Sequence, residues 1–380
     1  MLARLLRFRR TPADIVTPGA EERFAVASQL QLTWWRFRRH KLAVVSGAIV
    51  IVFYLAAIFA DFLAVNDPQD TESRRSYTPP QAIGLMDDDG ALRPHVIVLR
   101  ARRDPVTFRM VFDQPSKIFL TLFAHGYSYN LLGLIPTDVH LFGLMDAQPG
   151  DGLYILGADR LGRDLWSRLM VATRVSLTIG LLGVMISLFL GVLLGGVSAI
   201  YGGGVDIAIQ RLIEIIRSMP TIPLWMGLAA ALPRDWPITR IYFAITVIIA
   251  LLAWTDLARV VRGKFLSLRE EDFVTAAELA GAGQLRIIFR HMLPSFLSHI
   301  IAATTLALPA MIISETSLSF LGLGLRPPAI SWGILLQDAQ NIETLALAPW
   351  LLAAAVPIIV VILAFNFLGD GLRDAADPYG

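Results

Sequence analysis

The central polar loop of the chain is Phe273-Val-Thr-Ala-Ala-Glu-Leu-Ala-Gly281-Ala-Gly283-Gln-Leu-Arg-Ile-Ile-Phe-Arg-His-Met-Leu293-Pro294, and an apolar stretch lies on either side of it. Its first part is rich in small helix-forming residues, and Asp272 or Thr275 is placed to cap a short helix. Gly281 and Gly283 predict the end of that helix, because glycine adopts the left-handed conformation without strain. The residues that follow predict a second helix, whose apolar face consists of Leu285, Ile288, Phe289 and Met292.

A short helix with an alanine face can enter a shallow groove on another protein. The loop therefore predicts an element that couples two proteins mechanically and performs no chemistry of its own. The alternative is an amphipathic loop with a purely structural role.

The composition indicates a membrane protein. Of the 380 residues, 55% are hydrophobic and 17% are charged, whereas a soluble domain carries about 25% charged residues. The net charge of +2 and the lack of a basic stripe argue against nucleic-acid binding. With no cysteine, the chain has no disulfide, thiolate metal site or cysteine nucleophile. His95, His125 and His140 show no ligand spacing, so we predict no metal site.

A helix needs about 20 mostly apolar residues to cross a bilayer, and six segments come close to that length. They are Leu42–Val65, Val175–Tyr201, Ile207–Leu232, Ile241–Val261, Ser298–Leu323 and Leu347–Leu368. The third is the least typical, because its first half carries Arg211, Glu214 and Arg217. Either its first turns stand in the aqueous interface, or an ion pair within it lines a pathway.

Short loops rich in lysine and arginine remain in the cytoplasm. Basic residues precede the first span and follow the fourth, which predicts that both termini and the loop 262–297 are cytoplasmic. Residues 1–30 have the composition of a poorly ordered tail. Leu30–Lys41, with Trp34 and Trp35 among arginines, predicts either an interfacial helix or a plain continuation of the first span.

The insertion at residues 66–172 is then extracytoplasmic. Alternating apolar and polar residues over His95–Asp104 and Val106–Phe112 predict two strands, joined by a hairpin at Arg102–Pro105. The apolar runs Ile118–Phe123 and Leu131–Ile135 are too short to span, so they form a small core or lie against the membrane.

The central loop resembles the EAA loop of ABC-importer permeases, a pattern of Glu-Ala-Ala, a glycine and a final Leu-Pro at fixed spacing. Two residues depart from it: Thr275 replaces the glutamate, and His291 replaces an isoleucine. The coupling residues that the resemblance implies are Thr275, Ala276, Ala277, Glu278, Gly281, Gly283, Leu293 and Pro294.

Other stretches are similar to the second ("C") permease of the oligopeptide, dipeptide and nickel importers. They begin with Gly157-Ala-Asp-Arg-Leu-Gly-Arg163-Asp164-Leu-Trp-Ser-Arg168-Leu and include Glu315-Thr-Ser-Leu-Ser-Phe-Leu-Gly-Leu-Gly324, Pro327-Pro-Ala-Ile-Ser-Trp332-Gly and Leu368-Gly-Asp-Gly-Leu-Arg-Asp-Ala-Ala-Asp-Pro378. The long insertion is the main departure from the family pattern.

The resemblance implies an all-α polytopic membrane protein. Its fold has six transmembrane helices of the ABC-importer permease (MetI-like) type and an extracytoplasmic α+β insertion between helices 1 and 2. The expected divisions are a cytoplasmic tail and interfacial helix at 1–41, the first transmembrane helix at 42–65, the insertion at 66–172, the transporter core at 173–370 with its coupling loop 262–297, and a cytoplasmic tail at 371–380.

The resemblance also implies a function in the bacterial inner membrane. The chain would be a non-catalytic permease subunit that forms half of the pathway for oligopeptides or similar solutes, delivered by an extracytoplasmic binding protein. Its partners would be a second permease, two ATPase subunits that use ATP and magnesium, and membrane lipid. The chain itself lacks a P-loop, because Gly263-Lys264 is followed by Phe265. The alternatives are a secondary transporter, or the same machine carrying an oligosaccharide, glutathione or nickel.

Five residues are candidates for a gate or pathway: Glu315, Arg163, Asp164, Arg168 and Trp332. A carboxylate such as Glu315 inside a span is costly, so it marks a pathway or an anchor bonded to neighbouring hydroxyls. Asp256 has Arg259 and Arg262 one turn away as local partners. Arg163, Asp164 and Arg168 either hold an external gate or meet the binding protein. The insertion, 68–143, is expected to pack on the partner permease or the binding protein, unless it is a passive decoration.

Overall fold

The computed structural model describes residues 29–376, except 88, 104, 107–109, 147–150 and 234. Most of the predicted tail 1–30 and the end of the tail 371–380 lie outside the described residues. The main helices are α1 (Gln29–Arg39), α2 (Lys41–Ile58), α3 (Ala60–Leu63), α4 (Leu165–Tyr201), α5 (Gly203–Ser218), α6 (Thr221–Ala230), α7 (Ile238–Arg269), α8 (Asp272–Leu279), α9 (Gln284–Ile287), α10 (Leu293–Ser295), α11 (Leu297–Phe320), α12 (Trp332–Asp338), α13 (Ile342–Leu347) and α14 (Ala355–Ala376).

Within the described residues, five helical segments are long and apolar enough to cross a membrane: α2, α4, α7, His299–Phe320 and Pro349–Ala375. The predicted third span, Ile207–Leu232, is not one helix. It breaks at Met219, whose backbone is extended because Pro220 follows. The result is α5, with Arg211 and Glu214 paired at 2.7 Å on its exposed side, and the ten-residue apolar helix α6.

The N-terminal helix α1 is separate from the first span. The chain turns at His40, whose Nδ1 accepts a hydrogen bond from the Ala43 amide (3.2 Å) and so caps α2. Phe37 of α1 is buried with Ala43 and with Ala375 of α14. Gly371 of α14 faces Ala43 so closely that no side chain would fit there. The last described helix, α14, therefore packs against α1 and the start of α2, and we call this contact the clasp.

The centre of the bundle is the pair α4 and α7. The glycines of α4 allow the two helices to pack closely: at Gly195, an added Cβ would lie 2.5 Å from the Ala258 carbonyl oxygen. Gly191 faces Leu257 in the same way. Helix α4 begins ten residues before the predicted Val175, because Asp164 caps it by accepting from the amides of Trp166 and Ser167.

The insertion contains a four-stranded antiparallel sheet in the order β1 (Ile83–Met86), β2 (Leu92–Arg103), β3 (Met110–Leu131) and β4 (Ile135–Leu144). The predicted hairpin is confirmed, with Arg103 paired to Met110, although both strands are longer than predicted. The first apolar run, Ile118–Phe123, lies in β3, and the second, Leu131–Ile135, forms the turn into β4. The described insertion also holds a 3₁₀ turn at Ser73–Arg75 and the start of α4.

Candidate functional site

The predicted coupling segment forms the short helix α8. Its Val274 is buried, whereas Phe273 and Leu279 are exposed, Leu279 by 86%. Thr275, Ala276 and Glu278 are exposed as well. An apolar side chain this exposed at a helix end fits contact with another protein better than contact with water.

One buried cluster fixes α8 to the long helices. Val274 packs with Phe265 of α7, with Ala199 at the end of α4, and with Ile287 and Met292 of the following segment. That segment comprises α9, a π-helical turn at Ile288–Met292 and α10, which leads directly into α11. The cluster therefore joins α8 to α4 and α7 and, through α9 and α10, to α11.

The turn after α8 depends on Gly281, which has φ of +78° and open space around its Cα. This confirms the predicted left-handed glycine. The predicted capping was wrong: the cap residue is Glu271, and its side chain makes no capping bond. Of the predicted apolar face, Ile288 and Met292 are buried, while the side chains of Leu285 and Phe289 lie outside what the structure describes.

A cavity of about 530 Å³ opens among α4, α5, α6, α7 and α11. Its wall is mostly apolar, but Arg217 of α5 and Asp256 of α7 contact each other there as an ion pair. Their side chains remain partly exposed, by 41% and 75%. The exposed carboxylate of Asp256 within the spanning helix α7 indicates an aqueous surface or a protein partner rather than lipid.

This pairing differs from the sequence prediction for Asp256. Its predicted local partner Arg262 instead donates two hydrogen bonds to Asp206 at the start of α5 (2.6 and 2.5 Å). Helix α5 is thus held to α7 by one ion pair near each of its ends. Local spacing along α7 could not reveal either partner, because both pairs join different helices.

Two further polar atoms line the same cavity. The Nε1 of Trp225 and the Oγ1 of Thr304 are buried and have no hydrogen-bond partner within the described structure. A buried donor or hydroxyl without a partner is unfavourable by about 1–3 kcal/mol. A hydrated or polar occupant of the cavity would remove that penalty. Trp225 and Thr304 were not among the sequence candidates, whereas Arg217 was considered only as a partner of Glu214 on the same helix.

Glu315 lies inside the bundle and does not line this cavity. Its carboxylate is fully buried and accepts hydrogen bonds from Ser176 of α4 (3.0 Å) and Ser319 of α11 (2.8 Å). Ser176 also accepts from the backbone amide of Trp332 (3.2 Å), and the Trp332 indole donates to Thr173 (3.2 Å). Glu315 and Trp332 therefore join α4, α11 and α12, which fits the anchor alternative.

The three remaining candidates lie together at the start of α4. Arg163 donates to Asp159 at 2.7 Å, and Arg168 contacts the same carboxylate. Asp338, at the end of α12, is 3.7 Å from Arg168 and 3.9 Å from Arg163. Arg168 and Asp159 are almost fully buried, so this network joins the loop before α4 to α12 and leaves little for another protein to contact.

Burial also raises the pKa of two carboxyl groups in this region. Burial raises the pKa of Asp164 to about 6, although hydrogen bonds from Ser167 lower it. Burial likewise raises the pKa of Asp338, against the opposing effect of the Arg168 guanidinium. No group of three His, Asp or Glu side chains within the described ranges is arranged to hold a metal ion.

Comparisons with known proteins place these features in a family. Residues 187–379 match the family model of the binding-protein-dependent transport system inner membrane component, and residues 28–80 match the N-terminal TM domain of oligopeptide transport permease C. The oligopeptide transport system permease protein OppC of Haemophilus influenzae is 37% identical over 239 residues, which cover 62% of this chain and 74% of that protein.

The Bacillus subtilis OppC is 33% identical over 262 residues, covering 69% of this chain and 80% of that protein. A putative peptide permease of Brucella ovis is 36% identical over 244 residues, covering 64% and 78%. A solved structure of the inward-facing MetNI methionine ABC transporter aligns with a TM-score of 0.44 and 18% identity, covering 55% of this chain and 95% of that one.

Proposed function

Because this chain belongs to the binding-protein-dependent transport system inner membrane component family, a family of multi-pass permeases, we propose that it forms half of the translocation pathway of an ATP-driven importer. Its cargo is an oligopeptide or a similar small solute, which an extracytoplasmic binding protein delivers. The assembly also contains a second homologous permease and two ATPase subunits.

The observation that carries this proposal is the connection between α8 and the cavity. Val274 seats α8 against α4 and α7, and both of these helices line the cavity farther along. A partner that moves α8 would therefore change the width of the cavity. A secondary transporter has no need of an exposed apolar helix tied to its pathway in this way.

The chain acts without catalysing a reaction. ATP and Mg²⁺ bind to the partner ATPase subunits, which dock on α8 and its flanking turn, and the coupling residues Thr275, Ala276, Ala277 and Gly281 lie in that contact. Both termini and α8 then face the cytoplasm, while the sheet β1–β4 lies outside.

The cavity fits a solute with polar and apolar parts. Its wall is largely aliphatic, while Arg217, Asp256, Trp225 and Thr304 supply charge and hydrogen-bonding groups. Peptides present both kinds of surface, and the relatives named above are oligopeptide or putative peptide permeases.

Reconstitution of the complete transporter tests the proposal. Proteoliposomes with both permeases, both ATPase subunits and the binding protein should accumulate labelled peptides only when ATP is present on the ATPase side. Uptake without ATPase subunits, driven by an ion gradient, would identify a secondary transporter instead. Mass spectrometry of the ligands that co-purify with the binding protein would separate peptides from oligosaccharides, glutathione and nickel.

A further inference from the structure

The turn between β3 and β4 carries an unusual concentration of exposed apolar side chains. Leu132, Leu134 and Ile135 are exposed by 57%, 82% and 58%. No charged residue occurs in the sequence from Gly126 to Thr137, and two tyrosines, Tyr127 and Tyr129, precede the turn. We call residues 130–136 the hairpin tip.

The residues of this turn are atypical of a turn in water. Hairpin turns with positive φ favour Asn, Asp and Gly, which adopt that conformation readily. Here Leu132 has φ of +55° and Gly133 has φ of +72°. A leucine in the left-handed region is strained and gains no hydrogen bond from its side chain. An apolar side chain is therefore present at this position although the backbone conformation is unfavourable for it.

The position of the hairpin relative to the first span shows where the tip points. Leu144 and Phe142 of β4 pack in one small cluster with Val65, and the Trp166 indole, which contacts Phe142, donates to the Leu63 carbonyl (2.9 Å). Closer to the tip, His140 bonds the carbonyl oxygen of Asp61 (3.0 Å). Following β4 towards its tip thus leads back along the first span, from Val65 towards the membrane.

Charged groups mark where the aqueous region ends. Asp61 pairs with Arg174 of α4 at 2.6 Å, and His125 of β3 lies 3.1 Å from Asp138 of β4. Beyond this level the exposed side of α2 is apolar, with Ile58 and Leu55 exposed. Three residues at about 3.4 Å each place Ile135 on the order of 10 Å farther along β4 than Asp138. The exposed side of α2 beyond this level and the hairpin tip are therefore both apolar.

We propose that the hairpin tip inserts into the outer leaflet beside the first span, with Tyr127 and Tyr129 at headgroup depth. Tyrosine is enriched at this depth because its ring is apolar and its hydroxyl is polar. A sheet edge is not tolerated in the hydrocarbon centre, so the insertion is shallow. The turn itself leaves few backbone groups free, since Gly133 and Leu134 donate to Asn130 and Leu131 (3.0 and 3.1 Å).

The chain is well suited to a direct test, because it contains no cysteine. Leu134→Cys and, as a matched control, Leu92→Cys would each carry a nitroxide in the complete transporter in proteoliposomes. Leu92 is an equally exposed leucine of the same sheet (76%) at the start of β2, away from the tip. Collisions with oxygen report lipid, and collisions with a water-soluble nickel chelate report water.

The expected ratio of oxygen to nickel accessibility is severalfold higher at Leu134→Cys than at Leu92→Cys, and Leu132→Cys should behave like Leu134→Cys. Equal ratios at the two sites would overturn the proposal, because the tip would then lie in water. Protection from both reagents at Leu134→Cys would also overturn it, because a protein such as the partner permease would then cover the tip. None of these outcomes depends on the identity of the cargo.

Discussion

The guanidinium of Arg217 on α5 and the carboxylate of Asp256 on α7 form an ion pair at the wall of the cavity among α4, α5, α6, α7 and α11. The two residues are far apart in sequence and belong to helices of different character. Helix α5 carries several charges, whereas α7 is long and mainly apolar. Without this pairing, each charge would stand at the cavity wall without an opposite charge.

Loss of either charge at this pair should impair transport. We expect uptake by Arg217→Gln or Asp256→Asn to fall roughly fivefold or more, since the remaining charge would stand unpaired in the pathway. The charge exchange Arg217→Asp with Asp256→Arg should restore part of the activity. The matched control is the exchange Arg211→Glu with Glu214→Arg, an exposed pair on the same helix that should change uptake little. Wild-type uptake by both single variants would remove this pair from the pathway.

Charged substitutions in the coupling loop should block transport without removing the protein from the membrane. Gly281→Asp adds a charge at an open, left-handed position, and Ala276→Arg adds one on the exposed side of α8, where a docked partner would bury it without an opposite charge. ATP hydrolysis should be lost or become independent of ligand. Gly204→Asp, at another glycine with open space, provides the control and should leave uptake unchanged. Normal uptake by both loop variants at normal protein levels would contradict the docking assignment.

Fusions of a topology reporter should place the sheet and α8 on opposite sides of the membrane. A reporter that is active only outside the cytoplasm should be active after Ser116, in β3, and silent after Gln284, which follows α8. The reverse pattern would exclude contact between α8 and cytoplasmic ATPases.

Removal of the sheet should separate its role in transport from its role in folding. Residues 72–81 have to remain, because Gln81 donates to the Gly152 carbonyl (3.0 Å) and accepts from the Tyr154 amide (2.8 Å) and so holds the loop before α4. A Gly/Ser bridge that replaces residues 83–144 should abolish uptake while assembly and basal ATP hydrolysis persist. Unchanged uptake would show that the sheet is a passive decoration.

Glu315 should matter for stability more than for selectivity. In Glu315→Leu, Ser176 and Ser319 lose their buried acceptor, at a cost of about 2 kcal/mol or more. The melting temperature of the purified Glu315→Leu protein in detergent should fall by several degrees. The melting temperature of Glu315→Gln, which keeps an acceptor oxygen, should fall less. A large change in cargo preference with an unchanged melting temperature would assign Glu315 to the pathway.

The sequence predicted features that depend on neighbouring residues. The left-handed turn at Gly281 and the hairpin between β2 and β3 follow from local residue chemistry, and the structure confirms them. The break in the predicted third span also has a local cause. Pro220 ends the helix there, although apolar residues continue beyond it.

Features that depend on distant contacts were missed. Local rules paired Asp256 with the arginines one turn away, but the fold brings it to Arg217. Strand β4 was not predicted, because Val139, Phe142 and their neighbours gain their pairing only from β3. The start of α4 depended on a capping bond from Asp164, where hydropathy gave no indication of a helix. Hydropathy marks where a chain is apolar, and the hydrogen-bonded caps decide where its helices begin.

The clasp between the first and last described helices has a consequence for synthesis. Phe37 and Ala43 are among the first of these residues to leave the ribosome, yet their partners on α14, Gly371 and Ala375, are among the last. The end of the first span at Ala43 therefore remains uncovered until α14 has been synthesised. A chain that stops just before Gly371 would contain most of the last spanning segment and still lack the contact that closes the bundle.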